Sequence, residues 1–199
     1  ESMKDVLLLE CDVAKDESIV TAFEKMKGEF GSLDFVVHSV AYANRDDLKG
    51  SFSKIARENF LMSLDISAYS IIPIVRHAAP LMEEGGSVVV MTFQASERGF
   101  PGYNVMGTAK AALENGARQL SEEYGPQNIR INSISAGPLE TLASRGIHGF
   151  PDMRKIHAEK APLKRNITHE EVSNTALFLC SDMSTGITGS IIYVDAGYH

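Results

Sequence analysis

The stretch LDFVVHSV, residues 33–40, is apolar along most of its length, with Asp34 and His38 as its polar exceptions. A short run that is apolar on both sides of the backbone is typical of a strand buried in a parallel sheet. Similar runs recur along the chain, and segments with helical periodicity separate them. This alternation predicts an α/β fold that is built from parallel βαβ units.

The alternation extends over all 199 residues and predicts a single domain, 1–199, with a doubly wound, Rossmann-like parallel sheet. The predicted strands are 6–12, 33–40, 87–93, 129–135 and 190–195. The predicted helices are 15–30, ended by Gly31, then 55–62, a further helix from about 65 toward 82, 103–124 and 168–180. Residues 139–167 are predicted to be irregular or to form short helices. Thr168 and Glu171 have the spacing of a capping box, which favours a helix start there.

The composition excludes several classes of function. Hydrophobic residues make up 44% of the chain and charged residues 23%, as in soluble globular proteins. The formal net charge of −7, without a basic patch, argues against nucleic acid as a partner. The most apolar stretch, 66–82, contains Arg76 and His77, which argues against a membrane span. Cys11 and Cys180 are interpreted as thiols of a cytoplasmic protein, and the histidines have no metal-ligand spacing.

Tyr103 and Lys110 are the strongest candidates for chemistry. They lie seven residues apart in YNVMGTAK, which is about two helical turns, so a helix would place both side chains on one face. A nearby ammonium favours the phenolate and helps to position a hydrogen-bond donor. Such a donor suits a reaction in which charge gathers on a carbonyl oxygen. The alternative is an ordinary aromatic residue and a solvated lysine, and the spacing alone favours it.

Three further segments follow predicted strands, where ligands bind in open α/β sheets. They are HSVAYA at 38–43, CDV at 11–13 and SAGPLET at 135–141. Small residues at 38–43 would let a flat ring approach the backbone, and Asp12 could accept a hydrogen bond from an adenine amino group. Thr141 could contact a carboxamide or a phosphate. The alternatives are small residues for packing, an aspartate that caps the next helix, and an ordinary loop.

Taken together in this order, the sequence resembles the enoyl-acyl-carrier-protein reductase family of bacterial-type fatty-acid synthesis, within the short-chain dehydrogenases/reductases. The resemblance covers essentially the whole chain. It is carried by FVVHSVAYA, ENFLMSLDISAYS, PGYNVMGTAKAALE, NIRINSISAGPLETLASRGI, APLKRNIT and TGSIIYVDAGYH. The spacing Tyr-x6-Lys separates this family from the ordinary short-chain dehydrogenases/reductases, which have Tyr-x3-Lys and an NNAG motif. Gly107 stands where the ordinary lysine would fall, and HSVA stands in place of NNAG.

The resemblance implies roles for individual residues. Tyr103 would hydrogen-bond the thioester carbonyl and stabilise the enolate, and Lys110 would bind the nicotinamide ribose. The substrate would lie near Ala43, Tyr103 and Met106. The implied cofactor-binding residues are Asp12, Val13, Ser39, Val40, Ala41, Lys110, Leu139, Thr141 and Ala143. Residues 142–160 would form the family's substrate-binding loop and helix segment, which acts as a lid.

Two positions depart from the family pattern. The family has a second active-site tyrosine at the position of Phe93, so the ring is retained here but the hydroxyl is lost. Glu140 occupies a position that is usually basic, and its carboxylate would disfavour nearby phosphates unless it points to solvent. We expect Phe93 to affect substrate positioning or acyl preference.

The family's first two strands and its glycine-rich pyrophosphate turn have no counterpart in residues 1–199. We therefore expect the chain to be the C-terminal two-thirds of a longer protein, in which the missing strands lie beside 6–12 and 33–40. The residue that discriminates NADH from NADPH would lie in that missing part. NADH is expected because it is the commoner cofactor of the family, and NADPH is the alternative. Two alternatives remain: another short-chain reductase, which the lost hydroxyl at Phe93 leaves open, or a non-catalytic cofactor-binding fragment.

The resemblance also implies partners. The substrate would be attached to an acyl carrier protein, which is acidic. Lys160, Lys164 and Arg165 are candidates for its docking patch, and a solvated charged face is the alternative. The family forms homotetramers through its long helices and last strand. The apolar face made of Met106, Ala109, Ala112 and Leu113 would pack either against a partner or in the core.

Overall fold

A computed structural model describes residues 6–141, 144, 147 and 149–199. Its centre is a four-stranded sheet in which every pair of neighbours is parallel and the strands lie in chain order. The strands are β1 (Phe35–His38), β2 (Gly86–Thr92), β3 (Ile129–Ala136) and β4 (Ile191–Val194). Four of the five predicted strands are therefore confirmed, with slightly shorter or shifted bounds.

Helices connect the strands. They are α1 (Asp16–Phe30), α2 (Arg45–Lys49), α3 (Arg57–Leu64), α4 (Ile71–Ala78), α5 (Val105–Tyr124), α6 (Phe150–Lys160) and α7 (His169–Cys180). A π-helical turn, Asp65–Tyr69, joins α3 to α4. The predicted capping box begins α7, because the Thr168 hydroxyl accepts from the Glu171 amide at 3.2 Å and the Glu171 carboxylate accepts from the Thr168 amide at 2.8 Å.

The sheet is buried on both faces, as the doubly wound prediction requires. Val88 and Val90 lie in one apolar cluster with residues of α1, α4 and α5. Val89, which points to the opposite face, lies in a second cluster with Ile134 and residues of α7. The α/β class and the helices on both faces are thus confirmed.

The predicted strand 6–12 is wrong. These residues have no strand assignment, and Leu8 is 87% exposed. An extended apolar segment becomes a strand only when a neighbour satisfies its backbone groups, and no described residue pairs with it here. The outer side of β1 is also open, since Phe35 and Val37 are about half exposed.

Helix α5 contains 20 residues and carries the Tyr-x6-Lys lysine. Its buried positions recur every three or four residues, and the apolar ones include Met106, Ala109, Leu113 and Ala117. Three members of the predicted apolar face, Met106, Ala109 and Leu113, are buried within the chain, whereas Ala112 remains exposed. Of the two predicted roles for this face, packing in the core is therefore confirmed for those three residues.

The two cysteines are unpaired: Cys11 is exposed and Cys180 is half-buried. Across the described part of the chain, no helix is long and apolar enough to span a membrane.

Gly107 permits a close approach between α5 and the turn after β2. A Cβ at this position would lie 2.5 Å from the carbonyl oxygen of Ala95. We predict that Gly107→Ala lowers the free energy of unfolding by about 1–3 kcal/mol, because helix or turn must shift to relieve the overlap. Urea denaturation of the purified protein measures this difference.

Gly28→Ala is the matched control, because a Cβ at this position in α1 would have no heavy atom within 4 Å. This substitution should raise the free energy of unfolding by about 0.5–1 kcal/mol through helix propensity alone. Equal effects of the two substitutions would contradict the close approach at Gly107.

Candidate active site

A cavity of about 690 Å³ lies beyond the carboxyl ends of β2 and β3. Its walls come from the turn after β2, the Gly137–Pro138 turn after β3, the segment before α5, helix α6 and the C-terminal segment. The lining residues on which the site depends are Phe93, Tyr103, Leu139, Thr141, Met153 and His157. This is the sheet edge at which open α/β folds bind ligands.

Tyr103 lies in a turn before α5, not in the helix. The prediction of a helix that begins at 103 is therefore wrong by two residues, because Asn104 has a positive φ of 36° and α5 begins at Val105. The Tyr103 ring is close to Phe93, with ring centroids 4.5 Å apart. Burial raises the pKa of Tyr103 to about 12. The side chain is therefore a phenol at neutral pH and can donate a hydrogen bond, whereas the sequence suggested a shift toward phenolate.

Lys110 is held inside the protein, with 4% of its surface exposed. Its ammonium Nζ donates to the carbonyl oxygen of Val40 at 3.1 Å. Burial lowers the pKa of Lys110 to about 8, and the negative charge of Glu114 opposes this shift. The structure thus brings together Lys110 and Val40, two residues that the sequence assigned to cofactor binding.

Glu114 is a site residue that the sequence reasoning missed. It is buried one turn after Lys110 in α5, and its Oε1 accepts from the Thr92 hydroxyl at 2.5 Å. Thr92 is the last residue of β2 and lines the cavity. The available signal was an acid four residues after the lysine, but a solvated glutamate on a helix has the same pattern.

His38, the last residue of β1, is close enough to Lys110 to sense its charge. Its Nε2 is 2.8 Å from the Ser70 hydroxyl. Burial, together with the charge of Lys110, lowers the pKa of His38 to about 4. His38 is therefore neutral at physiological pH and adds no positive charge beside the lysine.

Four further residues that were predicted to bind the cofactor are not among the described residues that line the cavity. Asp12 accepts from the Ala14 amide at 3.1 Å and pairs with Lys15 at 2.9 Å, so it stabilises the turn into α1 without being its N-cap. Val13 packs on the first apolar cluster. Ser39 and Ala41 are exposed in the segment after β1. The contacts of these four residues with the cofactor remain predictions.

The predicted residues on the nicotinamide and acyl side divide into two groups. Leu139 and Thr141 line the cavity. Met106 is buried in α5, Ala43 is half-buried, and neither is among the described residues that line it. Ala143 lies outside the described residues.

Helix α6 forms one wall of the cavity, and it occupies most of the segment 142–160 that was predicted as a lid. Phe150, Met153 and Ile156 face the cavity from this helix. Arg154 pairs with Glu140 at 3.0 Å and ties α6 to the chain after β3. The Glu140 carboxylate is more than half exposed to solvent. This is the arrangement in which we expect a glutamate to be tolerated at this usually basic position.

The C-terminal segment contributes a wall that the sequence did not predict. The Tyr198 ring packs on His157 of α6 with centroids 4.7 Å apart, and both residues line the cavity. A Cβ at Gly137 would lie 3.0 Å from His157 Nε2, so a larger residue at this position would crowd the imidazole. No periodicity or motif marks such a contact between distant segments.

No group of three or more His, Cys, Asp or Glu side chains in the described ranges could hold a metal ion. The donor set instead suits a dinucleotide. An ammonium has three donors, and Lys110 uses one on Val40, which leaves donors for ribose hydroxyls. A parallel sheet covered on both faces, with a half-buried tyrosine beyond its strand ends and a buried lysine in the following helix, is typical of short-chain dehydrogenases/reductases.

Comparison with known proteins identifies the family. The family model described as Enoyl-(Acyl carrier protein) reductase matches residues 1–199. An enoyl-acyl-carrier-protein reductase (NADH) of Nostoc sp. is 48% identical over 100% of this chain and 77% of its own length. An NADPH enzyme of Staphylococcus aureus is 47% identical over 96% of this chain and 75% of its own. The chain therefore belongs to the enoyl-acyl-carrier-protein reductase family.

The fold comparison agrees. A crystal structure of the Bacillus cereus enoyl-acyl carrier protein reductase, with NADP+ and indole naphthyridinone, superposes with a TM-score of 0.96 at 45% identity. It covers 98% of this chain and 76% of the crystal chain. The reductase from Anaplasma phagocytophilum, in complex with NAD, gives a TM-score of 0.94 at 44% identity.

The Lys110 environment makes a prediction about ionisation. We expect an NMR titration of the lysine side chains to give Lys110 a pKa of about 8. Because the Glu114 charge stabilises the ammonium, Glu114→Gln should lower this pKa further, so that the proton is lost at a lower pH.

Glu122→Gln is the control, because Glu122 is an exposed glutamate of the same helix. It should leave the Lys110 pKa unchanged. A pKa near the ordinary lysine value of 10.5 in the unaltered protein would contradict the buried environment.

Proposed function

We propose that this protein reduces the carbon–carbon double bond of trans-2-enoyl-acyl-carrier-protein thioesters in fatty-acid elongation, with hydride from NADH. Membership of the reductase family supports the reaction class. The observation that carries the proposal is the Tyr103 phenol, which is half-buried in the wall of a large cavity beyond the strand ends.

Tyr103 is proposed to act on the thioester oxygen. When the β-carbon gains a hydride, electron density moves to the carbonyl oxygen and an enolate develops. A donor that is already in place at this oxygen stabilises the charge where water is excluded. Because burial holds the pKa of Tyr103 at about 12, the phenol keeps its proton and donates to the oxygen throughout.

Lys110 is proposed to orient the cofactor. NADH supplies the hydride when it is bound, and the relatives include both NADH and NADPH enzymes, so the preference for NADH is part of the proposal. Lys110 is anchored on the Val40 carbonyl, and its remaining donors would hold the ribose hydroxyls. Glu114 and Thr92 are proposed to hold Lys110 from the side of β2. Leu139 and Thr141 are proposed to contact the nicotinamide end from the cavity wall.

Phe93 is proposed to shape the acyl pocket by its ring alone. Its packing on Tyr103 limits how that phenol can move.

The alternative function is the reduction of another activated double bond or of a carbonyl by a short-chain reductase. It rests on the missing hydroxyl at Phe93. Assays of enoyl thioesters against ketones separate the two functions. A non-catalytic fragment is the weaker reading, since Tyr103 lines the cavity and Lys110 is held in the interior on the Val40 carbonyl.

An acyl carrier protein is proposed as the partner that delivers the substrate. Among the three basic candidates for docking, Arg165 pairs with Glu171 at 2.6 Å and the Lys164 ammonium donates to the Glu159 carbonyl at 3.0 Å. Lys160 is exposed at the end of α6, the helix that also lines the cavity. We therefore assign the docking contact first to Lys160.

A Lys160→Glu variant should raise the KM for the carrier-bound substrate and leave the KM for a small thioester unchanged.

A homotetramer is proposed for the assembled enzyme, and a cytoplasmic location goes with this proposal. A second apolar groove lies between α3 and α5, where Leu61, Met62 and Tyr69 are about half exposed beside Ala112 and Gly116. A second copy that covered this groove would bury these side chains. Sedimentation measurements should give four chains per particle, and a monomer would contradict the assembly.

We predict that Tyr103→Phe lowers kcat/KM for crotonyl thioester by roughly 10²–10³-fold, as expected when one oxyanion donor is lost. The decay of NADH absorbance during turnover measures the rate. The affinity for NADH should change little, since Tyr103 is proposed to act on the substrate.

Phe93→Tyr is the companion variant, because it adds a hydroxyl to the ring 4.5 Å from Tyr103 without removing the proposed donor. Its activity should stay within about tenfold of the unaltered enzyme. If Tyr103→Phe retained full activity, the proposed role of Tyr103 would be excluded.

A further inference from the structure

Asn104 has a backbone conformation that residues with a Cβ rarely adopt, with φ 36° and ψ −115°. It lies between Tyr103 and the first residue of α5. Strained conformations of this kind persist only where the surrounding structure holds them, and they concentrate at functional sites. The strain at Asn104 therefore calls for a compensating contact.

That contact is made by the side chain. Asn104 Nδ2 donates to the carbonyl oxygens of Asp47 and Gly50, each at 2.8 Å, and lies 3.4 Å from that of Leu48. The last carbonyls of a helix have no partner within the helix. Asn104 therefore caps the C-terminal end of α2 from a segment more than 50 residues away.

Helix α2 is short and depends on such caps. It contains five residues, and at its other end the Asn44 side chain accepts from the Asp46 amide at 3.0 Å. Lys49, the last residue of α2, lines the cavity together with Tyr103. The position of α2 thus sets part of the cavity wall.

The chain after β1 is consequently attached to the α5 region at two places. Lys110 holds Val40 at 3.1 Å, and Asn104 holds the end of α2. The first attachment lies on the proposed cofactor side. The second lies next to the phenol that is proposed to act on the substrate.

We propose that Asn104 is a positioning residue that sets the α2 wall of the acyl pocket against the Tyr103 phenol, an inference that rests on the proposed reduction of enoyl thioesters. One residue performs both tasks. Its backbone ends the turn that keeps Tyr103 outside α5, and its amide holds the facing wall.

Two substitutions separate the backbone from the side chain. Asn104→Gly relieves the strain at positive φ and removes the amide donors. Asn104→Asp keeps the size of the side chain but turns a carboxylate toward three carbonyl oxygens. Both should raise the KM for crotonyl thioester and lower kcat/KM by roughly tenfold to a hundredfold, because the wall and the phenol lose their alignment.

The readouts distinguish positioning from loss of structure. The Kd for NADH should stay within about twofold and the Tm of Asn104→Gly should not fall, since relief of strain offsets the lost hydrogen bonds. Asn128→Gly is the matched control. Asn128 also has a positive φ, of 58°, but it is not among the described residues that line the cavity, so its replacement should leave the kinetics unchanged.

An unchanged KM in both Asn104 variants would overturn the proposal, as would a KM and an NADH Kd that rise together. If the unaltered enzyme reduced no enoyl thioester, the proposed function would fail separately. The affinity of the variants for a saturated butyryl thioester would then decide the role of Asn104, and equal affinities would overturn it.

Discussion

The burial of the Lys110 ammonium is the constraint from which the arrangement of the site follows. A charged amine with 4% of its surface exposed loses most of its hydration, and this loss must be offset by groups of the protein. The Val40 carbonyl and the Glu114 charge supply the compensation. These groups come from the end of β1 and from α5, so the two elements must lie side by side.

The rest of the sheet completes this arrangement. Thr92 at the end of β2 holds Glu114 by a hydrogen bond of 2.5 Å, and the next residue, Phe93, packs on Tyr103. Gly107 lets α5 approach the turn after β2 closely enough for both contacts to form. The cofactor side and the substrate side of the proposed site are therefore coupled through one helix.

Those features that depend on local patterns could be predicted from the sequence. The apolar runs located β1 to β4, the capping box located α7, and the Tyr-x6-Lys spacing indicated the family. The strand predicted at 6–12 failed because a strand needs a hydrogen-bonded neighbour, which an apolar run does not report. The start of α5 failed because Asn104 adopts a positive φ that its contacts with α2 stabilise. The burial of Glu114 and the packing of His157 on Tyr198 depend on distant segments, so no local pattern could reveal them.

In the proposed reaction, hydride from NADH reaches the β-carbon of an enoyl thioester in this cavity. The most direct measurement supplies NADH with deuterium at its transferable position together with crotonyl thioester, and then locates the label in the product by NMR. This reaction would place one deuterium at the β-carbon and a solvent-derived hydrogen at the α-carbon. Reduction of a ketone in place of the enoyl thioester, or binding of NADH without transfer of the label, would contradict it.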